Sequence, residues 1–118
     1  MKVLIIEQEK TMRQSLLHFM ERLNGFEIFT AYSWRESLSL FGSVTFDIVL
    51  CGDRLPDADG LDILKRLMKE NPKLVSILMT AHSDESLKRE TEKAGIRGYL
   101  EKPFDLKQLE EMIGVDHL

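Results

Sequence analysis

The sequence predicts an α/β domain: one parallel five-stranded sheet with helices on both faces, a three-layer sandwich. Three observations predict it. Short apolar runs alternate with longer amphipathic stretches, five times in succession, and such alternation places the strands in parallel with the helices as crossovers. Several apolar runs are continuous, as in strands covered on both faces. A chain of 118 residues makes one domain with a substantial core.

Each element has its own signal. Val3-Leu4-Ile5-Ile6 is an unbroken apolar run and reads as the first strand. Met12, Leu16, Phe19, Met20 and Leu23 recur at helical spacing, and Asn24-Gly25 is a helix stop. Phe26 to Tyr32 is aromatic and mixed in polarity, which suits a strand at the sheet edge. Ser33-Trp34-Arg35-Glu36 has the form of a capping box and opens a short helix ending near Gly42. Phe46 to Cys51 is a second doubly buried strand, followed by a loop from Gly52 to Gly60. Leu61, Leu64, Leu67 and Met68 mark a third helix, closed by Asn71-Pro72. Leu74 to Met79 is the fourth strand. Ser83 to Ala94 is helical but polar, with Leu87, Thr91 and Ala94 as its thin apolar stripe, and Gly95 stops it. So little burial predicts above-average mobility for this helix. Gly98 to Glu101 is a short fifth strand, and Asp105 caps a last helix carrying Leu106, Leu109, Met112 and Ile113. Met12, Met20, Met68 and Met112 all fall on apolar helical faces and read as core filling.

Composition excludes several functions. Sixteen basic and twenty acidic residues give a formal net charge of −4, against the basic footprint of a nucleic-acid binder. The single cysteine, Cys51, excludes an internal disulfide framework and a cysteine-based zinc cluster. His18, His82 and His117 are too dispersed for a histidine metal site. No apolar run approaches the roughly 20 residues of a membrane span. The start, MKVLIIEQEK, meets charge too soon for a signal peptide. The expectation is a cytoplasmic domain with no membrane contact.

Ligands of parallel α/β sheets gather at the carboxyl ends of the strands. The residues there are Glu7, Gln8, Gly52, Asp53, Thr80, Ala81 and Lys102. In their segments they resemble a response-regulator receiver domain of two-component signalling, and the resemblance spans essentially the whole chain. It is carried by FDIVLCGDRLPDADGLDILKRL at Phe46 to Leu67, by SILMTAHS with Thr80 ending the fourth strand, and by GYLEKPF with Tyr99, Lys102 and Pro103 in family spacing. The resemblance implies a flavodoxin-like fold with strand order 2-1-3-4-5. It also implies phosphoryl transfer to an aspartate after the third strand. A magnesium ion would be held by that aspartate and two acids after the first strand, the hard cation neutralising the phosphoryl charge. A hydroxyl (here Thr80, followed by Ala81), an aromatic (Tyr99) and a lysine (Lys102, before Pro103) would complete the switch. The implied output face is helix 4, strand 5 and helix 5. The many charges of helix 4 fit either a solvated surface or a charge-steered contact. Implied partners are a sensor kinase, an effector domain or a second copy.

The departures fall on the chemistry. The acidic pair is Glu7 and Gln8, one acid lengthened by a methylene and one neutral amide. The acceptor position, four residues before Pro56, is Gly52, which has no oxygen to phosphorylate. Asp53 is adjacent, but neighbours leaving a strand point to opposite faces, so it is expected to aim away from the pocket. A bulge at Gly52 would re-aim it, yet the RLPDADG spacing is undisturbed. Glu7 alone is a weak metal ligand, so no cofactor is expected unless the altered site retains magnesium. Lys102 beside a buried strand end needs a counter-charge. Glu7, the longer acid, would supply it in the space left by residue 52; otherwise Lys102 is solvated. Without a phosphoryl group to draw on Thr80, the orientation of Tyr99 is set by packing or by a partner.

Two readings follow, from different classes. One is a non-catalytic receiver scaffold acting by protein contact without phosphorylation. The other is a working receiver phosphorylated on Asp53 by a histidine kinase. A flavodoxin-like enzyme or flavin binder is disfavoured, because EQEKTMRQ after the first strand is charged and unlike a phosphate loop. RLPDADG also resembles receivers joined to transcriptional activators, and the closing VDHL does not distinguish a single domain over 1–118 from a receiver cut from a longer regulator.

Overall fold

The computed structural model describes residues 1–114. His117 and the VDHL segment therefore lie outside the described residues. The chain alternates strictly: β1 (Lys2–Ile6), α1 (Lys10–Glu21), β2 (Glu27–Ala31), α2 (Trp34–Phe41), β3 (Ile48–Gly52), α3 (Gly60–Glu70), β4 (Val75–Thr80), α4 (Glu85–Lys93), β5 (Gly98–Glu101) and α5 (Leu106–Ile113). The strands form one parallel sheet in the order β2-β1-β3-β4-β5. This is the predicted flavodoxin-like α/β architecture.

The strand sequences account for their places. β1, β3 and β4 are interior, and beyond Lys2 and Val75 at the strand starts their residues are buried on both faces, as unbroken apolar runs require. β2 lies at one edge and keeps its mixed residues half-buried. Alternate residues of each interior strand feed two cores. Leu4, Ile6, Val49, Cys51 and Leu78 pack under α3, with Trp34 and Phe41 of α2, Leu87 of α4 and Ala94 just after it joining them. Val3, Ile5, Ile48, Leu50, Ile77 and Met79 pack against α1 through Leu16 and Met20, and against α5 through Leu109 and Ile113. Each such side chain contributes about 1.5–3 kcal/mol of burial.

Helix starts differ in detail from expectation. Ser33 Oγ accepts from the Glu36 N–H at 3.0 Å, but the Glu36 carboxylate turns to the Tyr32 N–H, so the box at α2 is half made. A reciprocal box forms instead at α5, between Asp105 and Gln108. α4 begins at Glu85 rather than Ser83, because Asp84 accepts from the Leu87 N–H at 2.7 Å and caps it. Of the α4 stripe only Thr91 is fully buried.

Parallel register brings the ends of β1, β3 and β4 to one sheet edge. Ile6 is level with Cys51, and Gly52 with Met79. The loops leaving that edge carry the residues of the site.

Candidate functional site

At the carboxyl edge, Glu7, Gln8, Asp53, Ala81 and Lys102 line one cavity of about 190 Å³, together with Glu9, Arg54 and His82. Glu7 follows β1 directly and is buried, its side chain only 3% exposed. Its Oε1 receives the Lys102 ammonium at 2.7 Å. Its Oε2 accepts from the Glu9 N–H at 2.9 Å. Both oxygens of this carboxylate are therefore engaged. The expected contact between Glu7 and Lys102 is present.

Gly52 explains why it fits. A Cβ placed on Gly52 would stand 3.0 Å from Glu7 Oε1 and 3.5 Å from its carboxyl carbon. The Glu7 carboxylate thus fills the volume into which any side chain at 52 would project. The extra methylene of glutamate carries the charge from β1 across to that place, and Lys102 meets it from the end of β5.

The second centre is Thr80. Its hydroxyl donates to Asp53 Oδ2 at 2.6 Å and accepts from the His82 N–H at 2.9 Å. This corrects the expectation that Asp53 aims away from the pocket. β3 ends at Gly52, and the Asp53 carbonyl turns to accept from the Gly60 N–H at 2.8 Å. Strand alternation no longer governs a side chain at that turn. No inserted residue was needed to bring the carboxylate to Thr80.

The remaining predicted residues are dispersed. Gln8 is exposed at the cavity. The Tyr99 hydroxyl hydrogen-bonds Ser83 Oγ at the surface, and Ser83 donates to Glu101 at 3.0 Å. Tyr99 thus stands outside the cavity. Pro103, joined to Lys102 by a cis peptide bond, lines a separate groove with Met12, Phe104 and Leu106. Buried Cys51 precedes Gly52, and burial first, then the Glu7, Asp59 and Asp53 charges, push its thiol well above the ordinary range. It is no nucleophile. Among the described residues, no three histidine, cysteine, aspartate or glutamate side chains stand close enough to share a metal ion.

Sequence reasoning missed Arg13. Its guanidinium donates to the Glu7 carbonyl at 2.8 Å and the Gln8 carbonyl at 3.3 Å, pinning the loop that carries Glu7. An arginine at the solvent edge of an amphipathic helix gives no signal of such a role.

Comparison with known proteins agrees with this architecture. The response regulator receiver domain family matches residues 3–114. The chain is 34% identical over 108 residues to the regulatory protein AtoC of Escherichia coli strain K12, covering 92% of this chain and 23% of AtoC. It is 34% identical over 99 residues to the transcriptional regulatory protein ZraR of Salmonella typhimurium, covering 84% of this chain and 22% of ZraR. The chain thus spans under a quarter of either relative. A response regulator receiver domain protein from Clostridium thermocellum superposes with a TM-score of 0.84 at 32% identity, over 95% of this chain and 90% of that one. The chain belongs to the response regulator receiver domain family. It is a receiver domain of the two-component signalling type, a signalling module.

Proposed function

We propose that this receiver works without phosphorylation, as a protein-binding module whose switch is held in one arrangement by its own side chains. The observation that carries the reading is the Glu7 carboxylate, which fills the place of an acceptor side chain at Gly52 and is paired there with Lys102. Two groups that a phosphoryl oxygen would call on are occupied: Lys102 by Glu7, and the Thr80 hydroxyl by Asp53 and by the His82 N–H. Tyr99 is held at the surface by Ser83. The module has no acceptor at 52 and catalyses no reaction.

The donor set does not fit the magnesium ion of the family. Both Glu7 oxygens are used, Gln8 is neutral, and Gly52 offers no side chain. Partners of this module are proteins: an effector domain, a kinase, or a second copy meeting α4, β5 and α5. It works in the cytoplasm, without direct contact to nucleic acid or membrane.

A second reading has one observation in its favour. Asp53 lines the cavity and touches Thr80, so it is the one carboxylate placed to accept a phosphoryl group. The test is treatment with a small acyl phosphate, and separately with beryllofluoride, both with magnesium. The expected result is unchanged intact mass and an unchanged amide NMR spectrum. A stable phosphoryl adduct that disappears in Asp53→Asn would establish the second reading instead.

A further inference from the structure

The thin stripe of α4 has a structural consequence at residues that the strand-end cavity does not share. Residues at the end of α4 are small: Thr91 is buried, Ala94 follows the helix as its cap and lines the space beside α3, and Gly95 has no side chain. α3 stops at Glu70 before Asn71-Pro72. Between the two helices an open groove of about 550 Å³ is left, against about 190 Å³ for the cavity at the strand ends.

The chemistry of this groove runs against the rest of the chain. Its walls carry Lys65 and Lys69, which lie on one face of α3 at a spacing of four, and Lys93 of α4; Glu90 is the single acid. None of the three lysines makes an ion pair among the described residues. Three unpaired ammonium groups share one groove on a domain whose formal net charge is −4. The apolar part of the lining is Met68, Pro72 and Ala94. The Met68 sulfur is anchored by Ser76 Oγ at 3.0 Å, and its methyl end lies where a side chain at Gly95 would stand, 3.6 Å from a Cβ placed there. A methionine lining a groove is an adaptable apolar contact.

We infer that the α3–α4 groove is a docking site for an acidic amphipathic segment of a partner protein. Apolar side chains of that segment rest on Met68 and Ala94, and its carboxylates meet Lys65, Lys69 and Lys93. Charge complementarity selects this occupant. A nucleic-acid strand is disfavoured, since the groove offers no aromatic platform for bases and Glu90 and the acidic domain repel a polyanion. The inference rests on the groove and not on the acceptor site, so each fails separately.

The test is an amide NMR titration of the whole chain with a synthetic helical peptide of leucine and glutamate, and with its twin carrying glutamine for glutamate. The expected result is saturable shifts confined to residues 65–69 and 93–95. Affinity is expected to fall by about tenfold for the neutral twin, and likewise for Lys65→Glu/Lys69→Glu/Lys93→Glu. Should that triple variant not fold, Lys69→Gln with an unchanged urea midpoint replaces it and is expected to weaken binding in the same direction. Binding weaker than about 1 mM overturns the proposal. So do equal binding of the twin, shifts centred elsewhere, or tighter binding of a single-stranded oligonucleotide at the same lysines.

Discussion

Glu7 owes its position to one methylene. An aspartate there would end short of the space beside Gly52, whereas the glutamate reaches it and meets Lys102 at 2.7 Å. Lys102 keeps 16% of its side chain exposed and Glu7 only 3%, so removing the lysine strands a buried carboxylate. Lys102→Ala is expected to lower stability by about 3 kcal/mol, the lower end for a broken buried pair. Replacing both partners, Glu7→Gln with Lys102→Met, is expected to recover most of that loss; urea denaturation measures both. Gly52→Asp tests the same volume from the other side. Its Cβ would arrive 3.0 Å from Glu7 Oε1 and bring a second carboxylate, so we expect stability to fall by about 1–3 kcal/mol from overpacking and like charge, read as a lower urea midpoint. Adding Glu7→Asp to it is expected to restore the midpoint. If Gly52→Asp is as stable as the parent, Glu7 does not occupy that space.

Elements meet at points where one residue serves its neighbour. Asp57, in the loop after β3, accepts from the Trp34 N–H at 3.0 Å and the Arg35 N–H at 2.8 Å, and so closes the start of α2 from another segment. These backbone donors, Arg35 foremost, hold its carboxyl below the usual range. A depressed folded-state pKa gives stability that is full above the ordinary carboxylate pKa, about 4, and lost as pH falls through the lowered value. Asp57→Asn is therefore expected to be less stable than the parent at neutral pH, with the difference closing at strongly acid pH; paired urea curves across pH measure it. Gly60 opens α3 against the end of β3, and a Cβ there would lie only 1.9 Å from the Gly52 carbonyl oxygen. Both partners are backbone and cannot step aside. Gly60→Ala is expected to fail to fold, or to lose well over 3 kcal/mol, as judged by circular dichroism and urea midpoint.

At the scale of the molecule, a single sheet serves two cores. Leu4 and Ile5 are neighbours in β1, yet Leu4 lies in the core with α3 and Ile5 in the core with α1 and α5. Both are fully buried. Leu4→Ala and Ile5→Ala are each expected to cost about 2–5 kcal/mol. Each is also expected to unfold in one cooperative transition, because neither core survives without the shared sheet. Two separate transitions in either variant would show the faces to be independent.

Much of this was legible from the chain. The unbroken runs at Val3–Ile6 and Phe46–Cys51 placed interior strands, and the mixed Phe26–Tyr32 segment placed an edge, because burial on one face or two leaves different local patterns. That residue 52 carries no side-chain oxygen is a fact of composition and needed no coordinates. Direction was another matter. Whether Asp53 faces Thr80 depends on where β3 stops and on the Gly60 N–H that turns its carbonyl, a contact between residues seven apart. Arg13 acts on carbonyls of another segment, and the groove between α3 and α4 is a space between helices, which no run of letters contains. Periodicity records what each segment must bury. It does not record where the chain bends after a strand ends, or what two packed helices leave open, and here those long-range contacts assemble the pocket.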